Sequence, residues 1–251
     1  MRLGLKSAEQ HPGAQRLGAT LDLECLLVKV PATCDWQAIL RLDSAPPDAI
    51  GNDRYGDCVE AGNLRQVQMR EANAMGSGWV PSAAEALALY ASWSGFNPQT
   101  GQPDDGTELA RAQALAAQVG IRIGTSDLDV PLPVTVRPGC LNAATWLFGS
   151  VGLCWALPAV LQDGNLREWD VATGAGSEPG SWGLHYTCSG AYTPSERKII
   201  SWGLEPIVTP AFEAKYLVSA CAGLSRRWFD ARGLTPPGLS WSELEAARGQ
   251  L

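Results

Sequence analysis

The sequence predicts an α+β fold, with helices in the first half of the chain and strands in the second. Helix-forming runs with capping residues fall between about residues 45 and 150, whereas apolar runs bounded by glycine and proline fall between 151 and 205. A last helix and a tail follow at 206–251. Because helices and strands are segregated along the chain, the pattern favours an antiparallel sheet packed against helices over alternating βαβ units.

The helices of the first half have recognisable ends. The first should run from Cys58 to about Met75, directly after a polar loop. In the second, Ser82 is a suitable N-cap and Glu85 completes a capping box three residues later. In the third we expect Thr107 to be the cap. The four helices are predicted over about residues 58–75, 81–96, 104–121 and 138–152.

Apolar patterns assign the other segments. Strands are predicted over residues 21–31, 153–158, 184–192 and 198–203, where apolar residues alternate or run together between turn residues. Residues 35–50 favour a short turn or helix, which is ended by two prolines. Residues 209–229 predict a late helix.

Composition narrows the class of protein. The chain has 251 residues, 45% of them hydrophobic, so we expect a single domain with a real core over 21–251, after an irregular arm at 1–20. The net charge of −7 argues against a nucleic-acid partner and against binding to anionic membranes. No apolar run is long enough to span a membrane, and the N-terminus lacks the apolar core of a signal peptide. A soluble chain that is not exported is expected.

Cys58 stands out among the seven cysteines. No two cysteines form a CxxC pair, so we expect no metal or other cofactor. Cys58 follows the polar loop GNDRYGD and opens the first helix. The positive end of a helix dipole lowers the pKa of a thiol, and a thiolate beside a base is a nucleophile. The alternative is that Cys58 is a small buried core residue.

His185 is the histidine that can act as that base. The only other one, His11, lies in the predicted arm, whereas His185 begins a predicted strand. The alternative is an isolated buried histidine whose ring nitrogens are satisfied elsewhere.

Three other residues complete the candidate site. Asn52 precedes the cysteine by six positions, so its amide can donate toward an oxyanion near the sulfur. Trp202, in KIISWG, can cover the histidine, and Trp182 lies three residues before it. Both tryptophans are candidate substrate-binding residues at the cleft.

This order resembles that of the papain-like cysteine peptidases. In that superfamily an amide residue precedes the cysteine by six positions, the cysteine opens a long helix, and a histidine on a strand is followed by Asn-Ser-Trp-Gly. The corresponding residues of this chain are Asn52, Cys58, His185 and Ser201-Trp202-Gly203. The motifs GNDRYGDC, DDGT and SWG with its following helix are similar, more closely, to short papain-like proteins of bacteria and their phages. From about residue 45 onward, the resemblance implies a cysteine helix packed against an antiparallel sheet or barrel.

Some positions depart from that pattern. Asn52 is one methylene shorter than the usual glutamine, and Val59 replaces the usual aromatic residue after the cysteine. Ile200 stands where most papain-like enzymes have the asparagine that orients the histidine. Since isoleucine cannot orient an imidazole, Ser201 or a backbone carbonyl is left to hold His185.

Two functions therefore stay open. The resemblance implies a hydrolase in which Cys58 attacks a peptide or other amide bond, His185 transfers the proton, and Asn52 helps to hold the oxyanion. The alternative is a papain-like fold with weak or silent catalysis that serves as an accessory or structural protein of a phage virion, attached to the capsid or tail. The partner is then a peptide or protein substrate, or else a neighbouring virion protein, and the location is the host cytoplasm or the virion.

Papain-type zymogens carry a long inhibitory segment before the enzyme. Only 57 residues precede Cys58 here, and part of them should belong to the domain. A lysosomal or secreted protease precursor is therefore not expected.

Overall fold

A computed structural model describes residues 3–6, 19–20, 30–40 and 48–249 of the chain. Within these residues, six α-helices pack against one large sheet and two small ones. The helices are α1 (Cys58–Met75), α2 (Ala83–Ser94), α3 (Leu109–Val119), α4 (Leu141–Phe148), α5 (Pro210–Tyr216) and α6 (Trp241–Gly249). The strands are β1 (Leu5–Lys6), β2 (Ala19–Thr20), β3 (Cys34–Asp35), β4 (Thr107–Glu108), β5 (Ile121–Ile123), β6 (Asp127–Asp129), β7 (Leu132–Val136), β8 (Val151–Leu157), β9 (Glu168–Trp169), β10 (Gly183–Tyr192), β11 (Arg197–Ile200), β12 (Ile207–Val208) and β13 (Leu217–Leu224).

The local helix signals are confirmed at α1 and α2. Helix α1 has the predicted bounds and ends at Gly76, whose positive φ of 65° suits a residue without a side chain. The capping box of α2 is present, because the Ser82 hydroxyl accepts a hydrogen bond from the Glu85 amide and the Glu85 carboxylate accepts one from the Ser82 amide.

The cap predicted for α3 is wrong. Glu108 is the N-cap residue of this helix, and Thr107 lies in β4 instead. The Thr107 hydroxyl donates to the Glu60 carboxylate, at 2.7 Å. The Thr107 hydroxyl therefore binds the carboxylate of Glu60 on α1 instead of capping α3, the role that the sequence pattern predicted.

The large sheet has nine strands in the order β2-β7-β13-β8-β10-β11-β12-β9, with β3 pairing β10. Its centre is antiparallel, and every residue of β8 is buried between β13 and β10. The late helix predicted over 209–229 is wrong after Tyr216, where β13 begins. The small apolar residues of LVSACAGL are compatible with a helix or a strand. The segment forms a strand because it pairs with β7 on one side and with β8 on the other.

Parts of the N-terminal region pair with the rest of the chain. Strand β1 pairs in parallel with β4, and β2 pairs in parallel with β7, so the arm expected to be irregular contributes two short strands. The strand predicted over 21–31 lies almost wholly outside the described residues. Of the predicted turn or helix at 35–50, the described part contains a 3₁₀ helix at Ala38–Leu40.

The core has two main parts. The sheet half is built mainly from β7, β8, β13, α4 and α5, and the helical half from α1, α2, α3 and β5. Helix α1 packs on β10, where Gly62 lets the strand approach: a methyl group there would come within 2.6 Å of the Tyr186 ring. Gln66 also donates to the Tyr186 hydroxyl, at 2.7 Å. The start of α1 is thereby fixed against the strand that carries His185.

None of the helices in the described part of the chain is both long and apolar enough to cross a bilayer.

Candidate functional site

Cys58 is the first residue of α1, as predicted, but its side chain is buried. Only 1% of the residue is exposed. It belongs to the helical half of the core, which it shares with Tyr186 of β10. The thiol thus lies at a helix N-terminus, next to the strand that carries His185.

His185 is held in one orientation by its neighbours. Its Nε2 atom lies 2.8 Å from the Ser201 hydroxyl. The Trp202 indole stacks on the imidazole, with ring centres 4.1 Å apart and an angle of 14° between the planes. The buried Nδ1 atom has no hydrogen-bond partner among the described residues. One ring nitrogen is therefore anchored by a hydrogen bond, and the other has none within the described residues.

Ser201 is the side chain that holds the His185 ring. Of the two groups expected from the sequence, a backbone carbonyl or the hydroxyl of Ser201, the hydroxyl is the one that contacts the ring. The side chain of Ile200 belongs to an apolar cluster with Met69 and Cys188. The hydrogen bond to the ring is therefore made by the residue after Ile200.

A small cavity of about 20 Å³ lies beside the thiol, with room for about one water molecule. Cys58, Asn52, Ser201 and Trp202 all line it. Asn52 is also buried, and its Nδ2 atom donates to Asp57 across 3.3 Å. An amide nitrogen carries two hydrogens, and this bond uses one of them.

Trp182 lies one layer further out. It stacks on Trp202 with ring centres 5.4 Å apart and is half-buried. Trp202 itself is buried on His185. The two indoles therefore form a wall over the histidine, and substrate binding by them stays a prediction.

The chain's own N-terminal segment covers the thiol. We call residues Leu3–Lys6 the covering segment. The backbone amide of Gly4 lies beside the Cys58 sulfur, and the Gly4 carbonyl accepts a hydrogen bond of 2.7 Å from the Thr107 amide. Leu3 packs against the sheet half of the core and Leu5 against the helical half. This segment therefore contacts both halves of the core, and we call the space that it fills over Cys58 the cleft.

Burial reverses the electrostatics expected at Cys58. The sequence predicts a thiol pKa lowered by the helix N-terminus, but desolvation raises the pKa of Cys58 to about 12, and the nearby Glu60 and Asp57 carboxyls add to this. Burial also lowers the pKa of His185 to about 3. In the covered form the two groups are therefore a neutral thiol and a neutral imidazole.

Two buried carboxyls lie beside the thiol. Burial raises the pKa of Asp57 to about 7 and that of Glu60 to about 8. One oxygen of each has no hydrogen-bond partner within the described ranges. Below these values both groups are neutral, which suits a buried site. Within the same ranges, no three His, Cys, Asp or Glu side chains are grouped so that they could hold a metal ion.

We expect the free energy of unfolding to fall as the pH rises from about 4 to about 8. Both folded pKa values lie above their ordinary values of 3.8 and 4.5, so the folded chain binds more protons in this range and loses stability as they leave. The shift of Asp57 alone corresponds to about 4 kcal/mol. Urea unfolding at pH 5 and pH 8 should show this slope, and Asp57→Asn or Glu60→Gln should flatten it. The exposed Asp105→Asn is the control, and an unchanged slope in both buried variants would contradict the assignment.

Two strained residues border the cavity. Ile50 and Trp202 have φ values of 48° and 50°, in the left-handed region that non-glycine residues rarely occupy. A β-branched residue such as Ile50 is especially unfavourable there. Such strain is concentrated at functional sites. No sequence pattern signals it, because neither isoleucine nor tryptophan is a residue type that favours the left-handed region.

Comparisons with known proteins bear on the fold. No family model matches the sequence, and no curated protein matches it. Among solved structures, xylellain, a cysteine protease from Xylella fastidiosa, is similar with a TM-score of 0.58 and 12% identity, covering 78% of this chain and 87% of that one. Procathepsin B S9 from Trypanosoma congolense is similar with a TM-score of 0.59 and 10% identity, covering 89% and 86%.

A third example is digestive procathepsin L 3 from the larval midgut of Tenebrio molitor, with a TM-score of 0.55 and 13% identity, covering 84% of this chain and 74% of that one. At such identities the likeness is one of fold. It agrees with the order of elements found here, a cysteine helix packed on a largely antiparallel sheet. The α+β fold predicted from the sequence is thus confirmed, and it is the fold of the papain-like cysteine proteases.

Proposed function

We propose that this chain is a papain-like cysteine hydrolase that cleaves a peptide or other amide bond through Cys58 and His185. The observation that carries the proposal is the state of the His185 ring. Ser201 anchors Nε2 and Trp202 covers one face, while Nδ1 is left without a partner among the described residues. Most buried polar side-chain atoms of folded proteins have a hydrogen-bond partner, so the unpartnered Nδ1 favours a functional histidine over one that fills the core.

The chemistry follows from these positions. His185 Nδ1 accepts the proton of the Cys58 thiol, and the sulfur attacks the carbonyl carbon of the substrate. The Cys58 backbone amide and the free hydrogen of Asn52 Nδ2 stabilise the oxyanion. The imidazolium then gives its proton to the leaving amine, and the thioester is hydrolysed by a water molecule that His185 activates.

The covering segment keeps the site inactive. A thiol with a pKa of about 12 supplies almost no thiolate at neutral pH, and the cavity holds about one water molecule. Release of the segment would hydrate both groups, which lowers the pKa of the thiol and raises that of the imidazole. The ion pair that makes a nucleophile then becomes accessible.

Hydrolysis by an opened chain tests the proposal. The variant Gly4→Ala displaces the covering segment, because the added methyl group would lie 1.8 Å from the Gly56 carbonyl oxygen. We expect this variant to release fluorescence from a quenched casein substrate, and Gly4→Ala/Cys58→Ala to release none. Equal rates for the two variants would contradict a hydrolase that uses Cys58.

A second candidate is a papain-like fold without catalysis, used as an accessory protein of a phage virion. The burial of Cys58 under the chain's own N-terminus favours it, since a structural protein needs no open cleft. Its partner would be a neighbouring virion protein. This candidate would be supported if Cys58 stayed unreactive in every variant that displaces the covering segment.

A further inference from the structure

The covering segment passes through a constriction made of glycines. A methyl group on Gly4 would come within 1.8 Å of the Gly56 carbonyl oxygen, and a methyl group on Gly106 would come within 1.8 Å of the Gly4 carbonyl oxygen. Real side-chain atoms do not approach backbone so closely. We call the backbone of Gly56 and Gly106 on either side of Gly4 the glycine gate. The gate accepts a backbone without a side chain, at the position beside the Cys58 sulfur.

Hydrogen bonds fix the width of the glycine gate. The Gly56 amide donates to Asp104 Oδ1, at 2.8 Å, and the Tyr90 hydroxyl donates to the same oxygen, at 3.0 Å. The Gly106 amide donates to the Tyr90 hydroxyl oxygen, at 2.9 Å. Tyr90 is completely buried and stacks on Phe96. The two walls are therefore tied to one rigid support and cannot spread to admit a methyl group.

Apolar contacts flank the gate on both sides. Leu3 lies over Gly183, where a methyl group would come within 2.8 Å of the leucine Cδ1 atom, and it packs on the sheet half of the core. Leu5 packs on the helical half. The cleft thus accommodates an apolar residue, a glycine and a second apolar residue in sequence.

Two backbone groups of Gly4 hold the covering segment in place. The Gly4 carbonyl accepts a hydrogen bond of 2.7 Å from the Thr107 amide, and the Gly4 amide lies beside the Cys58 sulfur. The residue that passes the glycine gate is therefore fixed next to the thiol.

We propose that the cleft over Cys58 selects peptide chains with a glycine between two apolar residues, and that the glycine gate enforces this choice. The proposal rests on the hydrolase proposed above and names its substrate class. A gate that fits backbone alone discriminates by steric exclusion, so replacing the glycine of a ligand by alanine should weaken binding by about tenfold or more.

Protection of Cys58 from alkylation tests the glycine gate without requiring turnover. The full-length Gly4→Ala variant is treated with iodoacetamide in the presence of acetyl-Leu-Gly-Leu-Lys-amide or its Leu-Ala-Leu-Lys counterpart, and Cys58 modification is read by peptide mass spectrometry. The matched protein control is Gly78→Ala, since a methyl group at Gly78 meets no atom within 4 Å. We expect the glycine peptide to protect Cys58 at a concentration at least tenfold lower than the alanine peptide. In Tyr90→Phe/Gly4→Ala, which lacks the hydroxyl that ties the walls, this difference should shrink.

The other outcomes overturn the proposal. Equal protection by both peptides, or protection by neither, means that the glycine gate does not select. A Gly4→Ala chain whose Cys58 reacts no faster than in Gly78→Ala means that Gly4 does not close the cleft. The failure of the hydrolase proposal is a separate result, because protection by a peptide does not depend on His185, whereas hydrolysis does.

Discussion

In the Gly4→Ala variant, Cys58 should react with iodoacetamide about 10³-fold faster than in the unchanged chain near neutral pH. Only the thiolate is alkylated, and a pKa of about 12 leaves a minute fraction of it in the covered form. A solvated thiol has a pKa near about 8.5, so opening the cleft raises the thiolate fraction by about three orders of magnitude. In the unchanged chain Cys58 is only 1% exposed, so easier access of the reagent to the sulfur adds to the effect.

Peptide mass spectrometry of a timed alkylation measures this rate site by site. The six cysteines in the described residues are all buried, so the others serve as internal references for global unfolding. Gly78→Ala controls for the added methyl group, and circular dichroism melting controls for loss of the fold. If Cys58 and Cys154 accelerate together, the variant has loosened the whole core, and the covering segment is not the specific barrier.

The second large effect is expected at the histidine. In the Gly4→Ala background, His185→Ala should lower hydrolysis of a peptide substrate by about 10³-fold, because the thiol loses its base and the leaving amine loses its acid. Ser201→Ala should cost less, about tenfold, since the imidazole stays but loses the hydrogen bond that orients it. Ser201→Thr keeps a hydroxyl and should recover most of the rate.

The split between kcat and KM separates these roles. Loss of a group that acts in the transition state lowers kcat and leaves KM nearly unchanged. A His185→Ala variant that keeps its kcat would show that the histidine fills the core. A Ser201→Ala variant that raises KM alone would assign the serine to binding and not to the orientation of the ring.

Local signals explain what could be predicted from the sequence. The start of α1 at Cys58 and the capping box of α2 depend on residues within three or four positions of each other, and both are confirmed. The papain-like fold was expected from a family resemblance, which the shared order of several short motifs carries and no single motif does. These features depend on short-range chemistry, which a single sequence displays.

The remaining features depend on contacts that are distant in sequence. Nothing local distinguishes β13 from a continued helix, because its two neighbouring strands decide the outcome. Gly4 of the covering segment packs against Gly106, which lies 102 positions further along the chain. A glycine adds nothing to an apolar sequence pattern, so the pattern does not predict this contact. The pKa of Cys58 is raised and not lowered because the thiol is buried, and an argument from the helix N-terminus alone does not include burial. Single-sequence patterns identify Cys58 as a candidate, but not the state in which the fold holds it.

The most direct test of a catalytic Cys58–His185 pair is the pH dependence of Cys58 alkylation in the Gly4→Ala variant, with and without His185→Ala. With the histidine present, we expect reactivity to persist down to about pH 5–6, because an imidazolium stabilises the thiolate. Without it, the apparent pKa should move to about 8.5, that of a free thiol. Two identical profiles centred near that free value would contradict the pair, and with it the proposal that this papain-like fold is an enzyme.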